Sequence, residues 1–270
     1  MIKNILVAGG DMRQIYCAEK LSAKYSVDVI GFDEKQPDNK FYDCIVFPVV
    51  PLDSDGNISA PYSRKRINPE DTANMLKSNG IVFAGKPDSR FREIFSNFPV
   101  YDYMEREDTS LKNAVPTAEG AIAIALENLP VTLNGLKVLI VGFGRIGMAL
   151  AEILKGFGAD ITTAVHNEKG TAKARICGIK SVYTDKMNTD FGLVFNTVPE
   201  LIFDSELLKK FEDSTLFIDL ASKPGGIDFS SAYELNKKVI WALGLPGKTA
   251  PVTAGQIIAE TIDNIITERS

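Results

Sequence analysis

The stretch KVLIVGFGRIGM, Lys137 to Met148, runs an apolar, β-branched segment straight into Gly142, Gly144 and Gly147 of a GxGxxG turn. A GxGxxG alone carries little information. Here a strand-like run precedes it and an apolar helical pattern, Ile146, Leu150, Ile153 and Leu154, follows. In that context each glycine has a physical task. Gly142 permits the tight turn, Gly144 lets the backbone approach a pyrophosphate, and Gly147 lets the helix lie close on its strand. The first N–H groups of that helix, which opens on Arg145 and Ile146, face an anion that the helix dipole also favours. The stretch predicts a dinucleotide-binding strand, turn and helix; the alternative is a glycine-rich turn that binds nothing.

Which dinucleotide is bound depends on the next strand, whose end in NAD-preferring sites carries an Asp or Glu for the ribose hydroxyls. That strand spans Asp160 to Val165 and is followed by His166, Asn167, Glu168 and Lys169, with no acid at its end. His166, Asn167 and Lys169 can donate to a 2′-phosphate that a carboxylate would repel, which favours NADP over NAD. The alternative for these residues is an ordinary solvated loop.

With 270 residues and an ordinary apolar fraction of 45%, the chain has room for one large or two medium domains. Its net charge of −5 and lack of a Lys/Arg tract argue against nucleic acid or an anionic membrane as partner. Cys17, Cys44 and Cys177 are odd in number and form no CxxC pair, so neither a disulfide framework nor a metal site is expected. No apolar run approaches a membrane span and no cleavable leader is evident, so a cytoplasmic location is expected. The one histidine, His166, falls where the adenosine ribose should lie. It is therefore poorly placed as an acid/base beside the nicotinamide, which disfavours the 2-hydroxy-acid dehydrogenase chemistry that the GFGRIG turn would otherwise suggest.

Short apolar runs at 5–8, 28–32, 44–47 and 81–84, with a helical stretch over 13–25, predict a first α/β unit. A Pro/Asp/Ser/Gly-rich loop, 48–63, and a polar helical segment after Asn68 interrupt it. Pro116 and Thr117 then predict the start of a connector helix running through Leu129. Strands at 193–196, 216–219 and 239–242 continue the second unit, and a last amphipathic helix covers 254–267. The expected fold is α/β, with two doubly wound, parallel-sheet, Rossmann-like domains joined by a connector helix. The substrate domain is placed at 1–128, with 246–270 returning to it, and the dinucleotide domain at 129–245.

In such sheets ligands sit outside the carboxyl ends of the strands. Thr197, Val198 and Pro199 follow one strand and are expected to wall the nicotinamide half of the cofactor. Ser222 and Lys223 follow another, with Lys223 able to hold an anionic substrate; the alternative is a pair of solvent loops. Asp11 and Arg13, after the first strand, offer an oriented guanidinium fork for a carboxylate, or simply a capped helix start. Glu119, expected in the first turn of the connector helix, is either a dipole-favoured acid or a proton-transfer group. The segment Gly244 to Pro251 reads as a rigid Pro/Gly hinge or as a loop presenting Lys248 and Thr249 to an anion.

Taken together, GGDMRQ at 9–14, GFD at 31–33, PTAEG at 116–120, GFGRIGM at 142–148, NTVP at 196–199, DLASKPGGIDF at 219–229 and GLPGKTAPVTAGQI at 244–257 resemble the A subunits of dipicolinate synthase from endospore-forming bacteria. The resemblance covers nearly the whole chain, and the DLASKPGG and GLPGKTAP segments are far more specific than the dinucleotide turn. It implies oxidation of a dihydrodipicolinate-type intermediate to pyridine-2,6-dicarboxylate with a nicotinamide cofactor. It also implies a partner, the flavoprotein-like B subunit, and a role in the mother cell during sporulation. On this view NADP⁺ lies on the 142–147 turn, the dicarboxylate meets Arg13 and Lys223, with Lys248 also available, and Glu119 or a bound water takes the proton. Two competing expectations are another NADP-dependent dehydrogenase of the shikimate or alanine dehydrogenase type, and a non-catalytic dinucleotide-binding subunit.

Overall fold

The computed structural model describes residues 2–32 and 41–269, so Asp33 of the GFD motif lies outside the described residues. The chain divides into two compact units, 1–113 with 250–270, and 114–249. Both are parallel α/β sheets, as the alternation of apolar runs and helices implied.

In the first unit the strands are β1 (Asn4–Ala8), β2 (Ser26–Ile30), β3 (Tyr42–Val46), β4 (Leu76–Ala84) and β5 (Val100–Asp102). They pair in parallel in the order β2-β1-β3-β4-β5. Helix α1 (Met12–Leu21) follows β1, and the short α2 (Pro69–Ala73) and α3 (Ser89–Ile94) flank β4. Both short helices begin on acceptor side chains, Asn68 bonding the Glu70 amide and Asp88 the Phe91 amide, which stabilises turns too short to persist alone. Phe47, Phe91 and Phe95 pack ring to ring at 4.6–5.1 Å in the core on one face of the sheet. The three-residue β5 is too brief to show the alternation by which strands are recognised in sequence.

Helix α4 (Glu107–Asn128) runs from one unit into the other and corrects the expected connector. Pro116 is not its first residue but lies inside a helix that starts nine positions earlier, with Glu107 and Asp108 as acids of its first turn. An interior proline costs a helix about 3 kcal/mol. Ala118, Ala121, Ile122 and Ala125, all at most 3% exposed, bury a helical stripe in the core beyond it and offset that cost.

The second unit has β6 (Lys137–Val141), β7 (Asp160–Val165), β8 (Lys180–Tyr183), β9 (Leu193–Asn196), β10 (Leu216–Asp219) and β11 (Lys238–Trp241). Their order is β11-β10-β9-β6-β7-β8, all parallel, the six-stranded order of a doubly wound dinucleotide fold. Helices α5 (Arg145–Gly156), α6 (Glu168–Ile176), α7 (Ser205–Leu208) and α8 (Phe229–Glu234) lie between the strands. The Gly244–Pro251 segment is not a plain hinge: Leu245–Thr249 forms a helical turn, α9.

The chain ends in α10 (Pro251–Glu268), with proline at its first turn, where the missing N–H is harmless. Its Ile258, Ala259, Ile262, Ile265 and Ile266 share a core with Ile5, Val7, Cys44 and Val46 of the first unit. Gly255 sets how closely α1 and α10 approach. A β-carbon there would stand 2.4 Å from the Arg13 carbonyl oxygen.

Candidate functional site

The 142–147 turn is built as its glycines require. Gly142 has φ +89°, and a β-carbon on it would meet the Thr197 hydroxyl at 2.4 Å. A β-carbon on Gly147 would lie 2.2 Å from the Gly142 carbonyl oxygen, so the start of α5 rests directly on the turn. Gly144 differs: a β-carbon there meets nothing within 4 Å and projects into open space. Gly144 is also the N-cap of α5 and supplies no side-chain acceptor, which leaves the positive helix end available to an anion. The Thr197 hydroxyl donates to the Val141 carbonyl oxygen at 2.9 Å, tying the loop after β9 to the turn after β6. These two strands are neighbours on either side of the point where the strand order reverses, the place such sheets bind ligands.

Beside the turn lies a cavity of about 550 Å³, which His166, Lys169, Lys173, Thr197, Val198 and Pro199 help to line. Asn167 also lines it, but much of its hydrogen-bonding capacity is spent within the fold. Its Oδ1 caps α6 by accepting from the Gly170 amide at 2.9 Å, and its Nδ2 lies 2.8 Å from His166 Nε2. One Nδ2 proton is left for a ligand in the cavity. Lys173 escaped the sequence reading, although it stands one helical turn beyond Lys169, and that spacing was its signal. Glu168 turns to the Tyr183 hydroxyl. Lys186 stands 5.9 Å over the Tyr183 ring, at a neighbouring cavity that includes His166 and Thr184. Open space over Gly144, an uncapped helix start and a cationic cavity fit a pyrophosphate-linked dinucleotide.

The loops after β9 and β10 are locked together by two buried polar residues that end those strands. Asn196 and Asp219, both 0% exposed, are register partners. Asp219 accepts from Asn196 Nδ2 at 2.8 Å, from the Ala221 amide at 3.0 Å and from the Gly226 amide at 2.8 Å. Asn196 in turn bonds both the carbonyl and the amide of Val198. Trp241 Nε1 donates to the Ala221 carbonyl oxygen, and its ring stacks on Phe229 at 4.9 Å. A β-carbon on Gly225 would come within 2.9 Å of Asp219 Oδ2, and one on Gly226 within 2.2 Å of Asn196 Nδ2. The paired glycines of SKPGG are therefore required by what lies beneath them, the Asp219 carboxylate under Gly225 and the Asn196 amide under Gly226. Ser222 and Lys223 stand exposed at the crest of this pinned loop. The sequence signal for Asn196 and Asp219 was a polar residue closing each of two wholly apolar strands, LVFN and LFID.

Other expected site residues are placed less simply. Thr249 spends its hydroxyl proton on the Leu245 carbonyl oxygen at 2.8 Å, so it is corrected from anion donor to a group closing α9. Lys248 is exposed in the last turn of α9, where a cation suits the negative helix end. Glu119 is exposed in the interior of α4, not in its first turn, so the dipole does not account for it. Arg145 is exposed at the start of α5.

In the first unit, Asp11 caps α1 by accepting from the Arg13 amide at 3.0 Å and also takes the Arg13 guanidinium, Nε at 2.9 Å and Nη2 at 2.7 Å. Burial would raise the Asp11 pKa, but the hydrogen bonds and charge of Arg13 outweigh it and hold the carboxyl below its ordinary range. The cap and the oriented guanidinium thus coexist. Among the described residues no group of three His, Cys, Asp or Glu could hold a metal ion, and no helix is long and apolar enough to cross a membrane.

Residues 4–104 match the family of N-terminal domains of the dipicolinate synthase A subunit. Residues 116–224 match the NAD binding domain of D-isomer specific 2-hydroxyacid dehydrogenases. The second unit is thus a nicotinamide-dinucleotide-binding domain of dehydrogenase type. The dipicolinate synthase A subunit of Bacillus subtilis (strain 168) is 29% identical over 98% of this chain and 96% of its own. The crystal structure of its Bacillus halodurans counterpart superimposes with a TM-score of 0.90 at 28% identity, covering 98% of this chain and 97% of that one. The crystal structure of the Bacillus subtilis protein gives 0.88 at 28% identity, covering 99% and 97%. Along its length the chain is a relative of these dipicolinate synthase subunits. Escherichia coli D-lactate dehydrogenase, 12% identical with a TM-score of 0.62 over 98% of this chain and 96% of its own, shares the fold alone.

Proposed function

We propose that this relative of the dipicolinate synthase A subunits oxidises a dihydrodipicolinate-type intermediate to pyridine-2,6-dicarboxylate, with NADP⁺ as hydride acceptor and with a flavoprotein-like B subunit for its partner, during sporulation in the mother cell. The observation that carries the reading is the joining of a full-length relationship to those subunits with a fully formed dinucleotide turn. When bound, the oxidised nicotinamide takes the hydride. The remainder of the chemistry is positioning, and loss of a hydride and a proton leaves an aromatic ring, so no strong acid/base is demanded. That suits a chain whose one histidine lines the cavity beside α6.

Lys223 and Ser222, on the loop pinned by Asp219, hold a substrate carboxylate at the carboxyl end of β10. In the first unit Arg13, oriented by Asp11, presents a second cation at the end of β1. Lys248 adds positive charge in the last turn of α9, and Glu119 or a bound water receives the proton. Arg145 and Ile146, opening α5, bring their amides to the pyrophosphate, and Thr197, Val198 and Pro199 wall the nicotinamide half.

The test follows pyridine-2,6-dicarboxylate and NADPH together, from an enzymatically generated dihydrodipicolinate precursor and NADP⁺, with this chain alone and with its B subunit. Equal amounts of both products are expected, and replacing Lys223 with Met should raise KM for the precursor while sparing dinucleotide affinity. Saturable NADP⁺ binding with no product under either condition would overturn the reading in favour of another substrate or a non-catalytic subunit.

The preference for NADP is assigned to Lys169 and Lys173, which line one cavity without an ion pair to any described residue, with His166 beside them. Replacing both lysines with Ala is expected to weaken NADP⁺ binding by at least about tenfold, ~1.4 kcal/mol, while leaving NAD⁺ nearly unchanged. Titration of each dinucleotide against the double variant reads this directly, and parallel losses for both would refute the assignment.

A further inference from the structure

We infer that Gln14 is a carboxylate-binding residue, its side-chain amide donating to the substrate beside Arg13 at the strand-order reversal of the first unit. The proposal rests on the dicarboxylate reading above for the identity of the ligand.

The strand order of the first unit reverses between β1 and β3. The crevice outside the carboxyl ends of two such strands is where open α/β sheets take ligands. Gly9 to Asp11 leave β1 there, and Phe47 and Pro48 leave β3. Gln14 sits between them: a β-carbon on Gly10 would stand 2.3 Å from Gln14 Cγ and 3.0 Å from Pro48 Cβ. The residue is 1% exposed, yet its Nε2 is buried without a hydrogen-bond partner, alone in this among the buried side-chain polar atoms of the described residues. Buried amides are almost always paired, and an orphan is a group whose partner arrives from elsewhere or a strain tolerated for function.

The surroundings specify the partner. Arg13, one residue earlier, turns Nε and Nη2 to Asp11, and its Nη1 bonds no described residue. Tyr103 approaches from the end of β5, but its hydroxyl donates to the Phe47 carbonyl oxygen at 3.0 Å. Two donors on consecutive residues therefore lack an acceptor. A buried amide donor beyond the end of β1, one residue from a guanidinium that keeps a nitrogen unbonded, suits an acceptor anion, and a carboxylate has that form. The neighbouring Asp11 disfavours a multiply charged phosphate and leaves room for a singly charged group.

The test is Gln14→Met, close in volume and lacking the donor, measured in the full chain by thermal melting in metal-free buffer. The probes are pyridine-2,6-dicarboxylate and glutarate. Because the lost amide is unpaired, the variant should melt at or above the wild-type temperature without ligand. The wild-type rise of several degrees with pyridine-2,6-dicarboxylate should vanish, and KM for the substrate should rise about tenfold with dinucleotide affinity kept. A wild-type response to glutarate but not to the pyridine, lost in the variant, would keep the carboxylate site and overturn the dipicolinate reading. Equal responses in both chains would overturn the site and leave that reading standing. A variant that melts lower or fails to fold would place the amide in the fold and overturn the proposal. No response of the wild type to either probe would overturn both.

Discussion

Gly144→Ala is expected to yield a folded chain that no longer binds its dinucleotide, whereas Gly147→Ala, three residues on, should fail at folding. The contrast follows from what an added methyl meets. At Gly144 nothing lies within 4 Å and φ is −88°, which alanine adopts freely. The stability cost is limited to a poorer N-cap, about 1 kcal/mol. The same methyl, however, occupies the space through which a pyrophosphate would approach the first turn of α5, and dinucleotide affinity should fall by about a hundredfold or more, ~2.7 kcal/mol. At Gly147 the methyl would stand 2.2 Å from the Gly142 carbonyl oxygen, a backbone atom that cannot swing aside. Helix α5 would have to lift from β6, opening the core formed by Leu150, Ala151 and Leu154. Melting curves and dinucleotide titrations of the two variants separate the effects. A Gly144→Ala chain that keeps wild-type affinity would show that the dinucleotide does not cross this turn.

The sequence disclosed the turn because its requirements are local: which glycine needs space, and for what, follows from one strand and one helix. The pattern of apolar runs likewise disclosed two parallel α/β sheets. The start of α4 was hidden because Pro116 carries a local signal for a helix beginning, while the burial of Ala118, Ala121 and Ala125 that sustains a longer helix is a property of the fold. Thr249 was read as a free donor because its hydrogen bond, to Leu245, depends on a turn of helix that the residue itself does not announce. Gln14 and Asp219 escaped for the opposite reason. Each is an ordinary polar residue whose importance comes from being enclosed, Gln14 with too few partners and Asp219 with a full set.

Asp219→Asn is the change that should separate cofactor binding from turnover. The carboxylate serves three donors with acceptor oxygens only, and it lies below the loop that presents Ser222 and Lys223. An asparagine can keep one oxygen for Asn196 and Ala221. Its amide nitrogen then faces the Gly226 amide, donor against donor, at a site where the hydrogen bond was 2.8 Å. Gly226 cannot yield toward Asn196, whose Nδ2 already lies 2.2 Å from where a β-carbon would be, so the strain passes outward along Gly225 to the lysine. One mismatched buried donor costs about 1–3 kcal/mol, which a folded domain survives. A displacement of the Lys223 loop by about 1 Å is enough to lower turnover by roughly a hundredfold. The 142–147 turn donates no hydrogen bond to the Asp219 carboxylate, so dinucleotide affinity should stay close to wild type. Turnover at the wild-type rate in a chain that melts only slightly lower would mean that Trp241 and the loop backbone hold Lys223 without help, and Asp219 would lose its place in the mechanism.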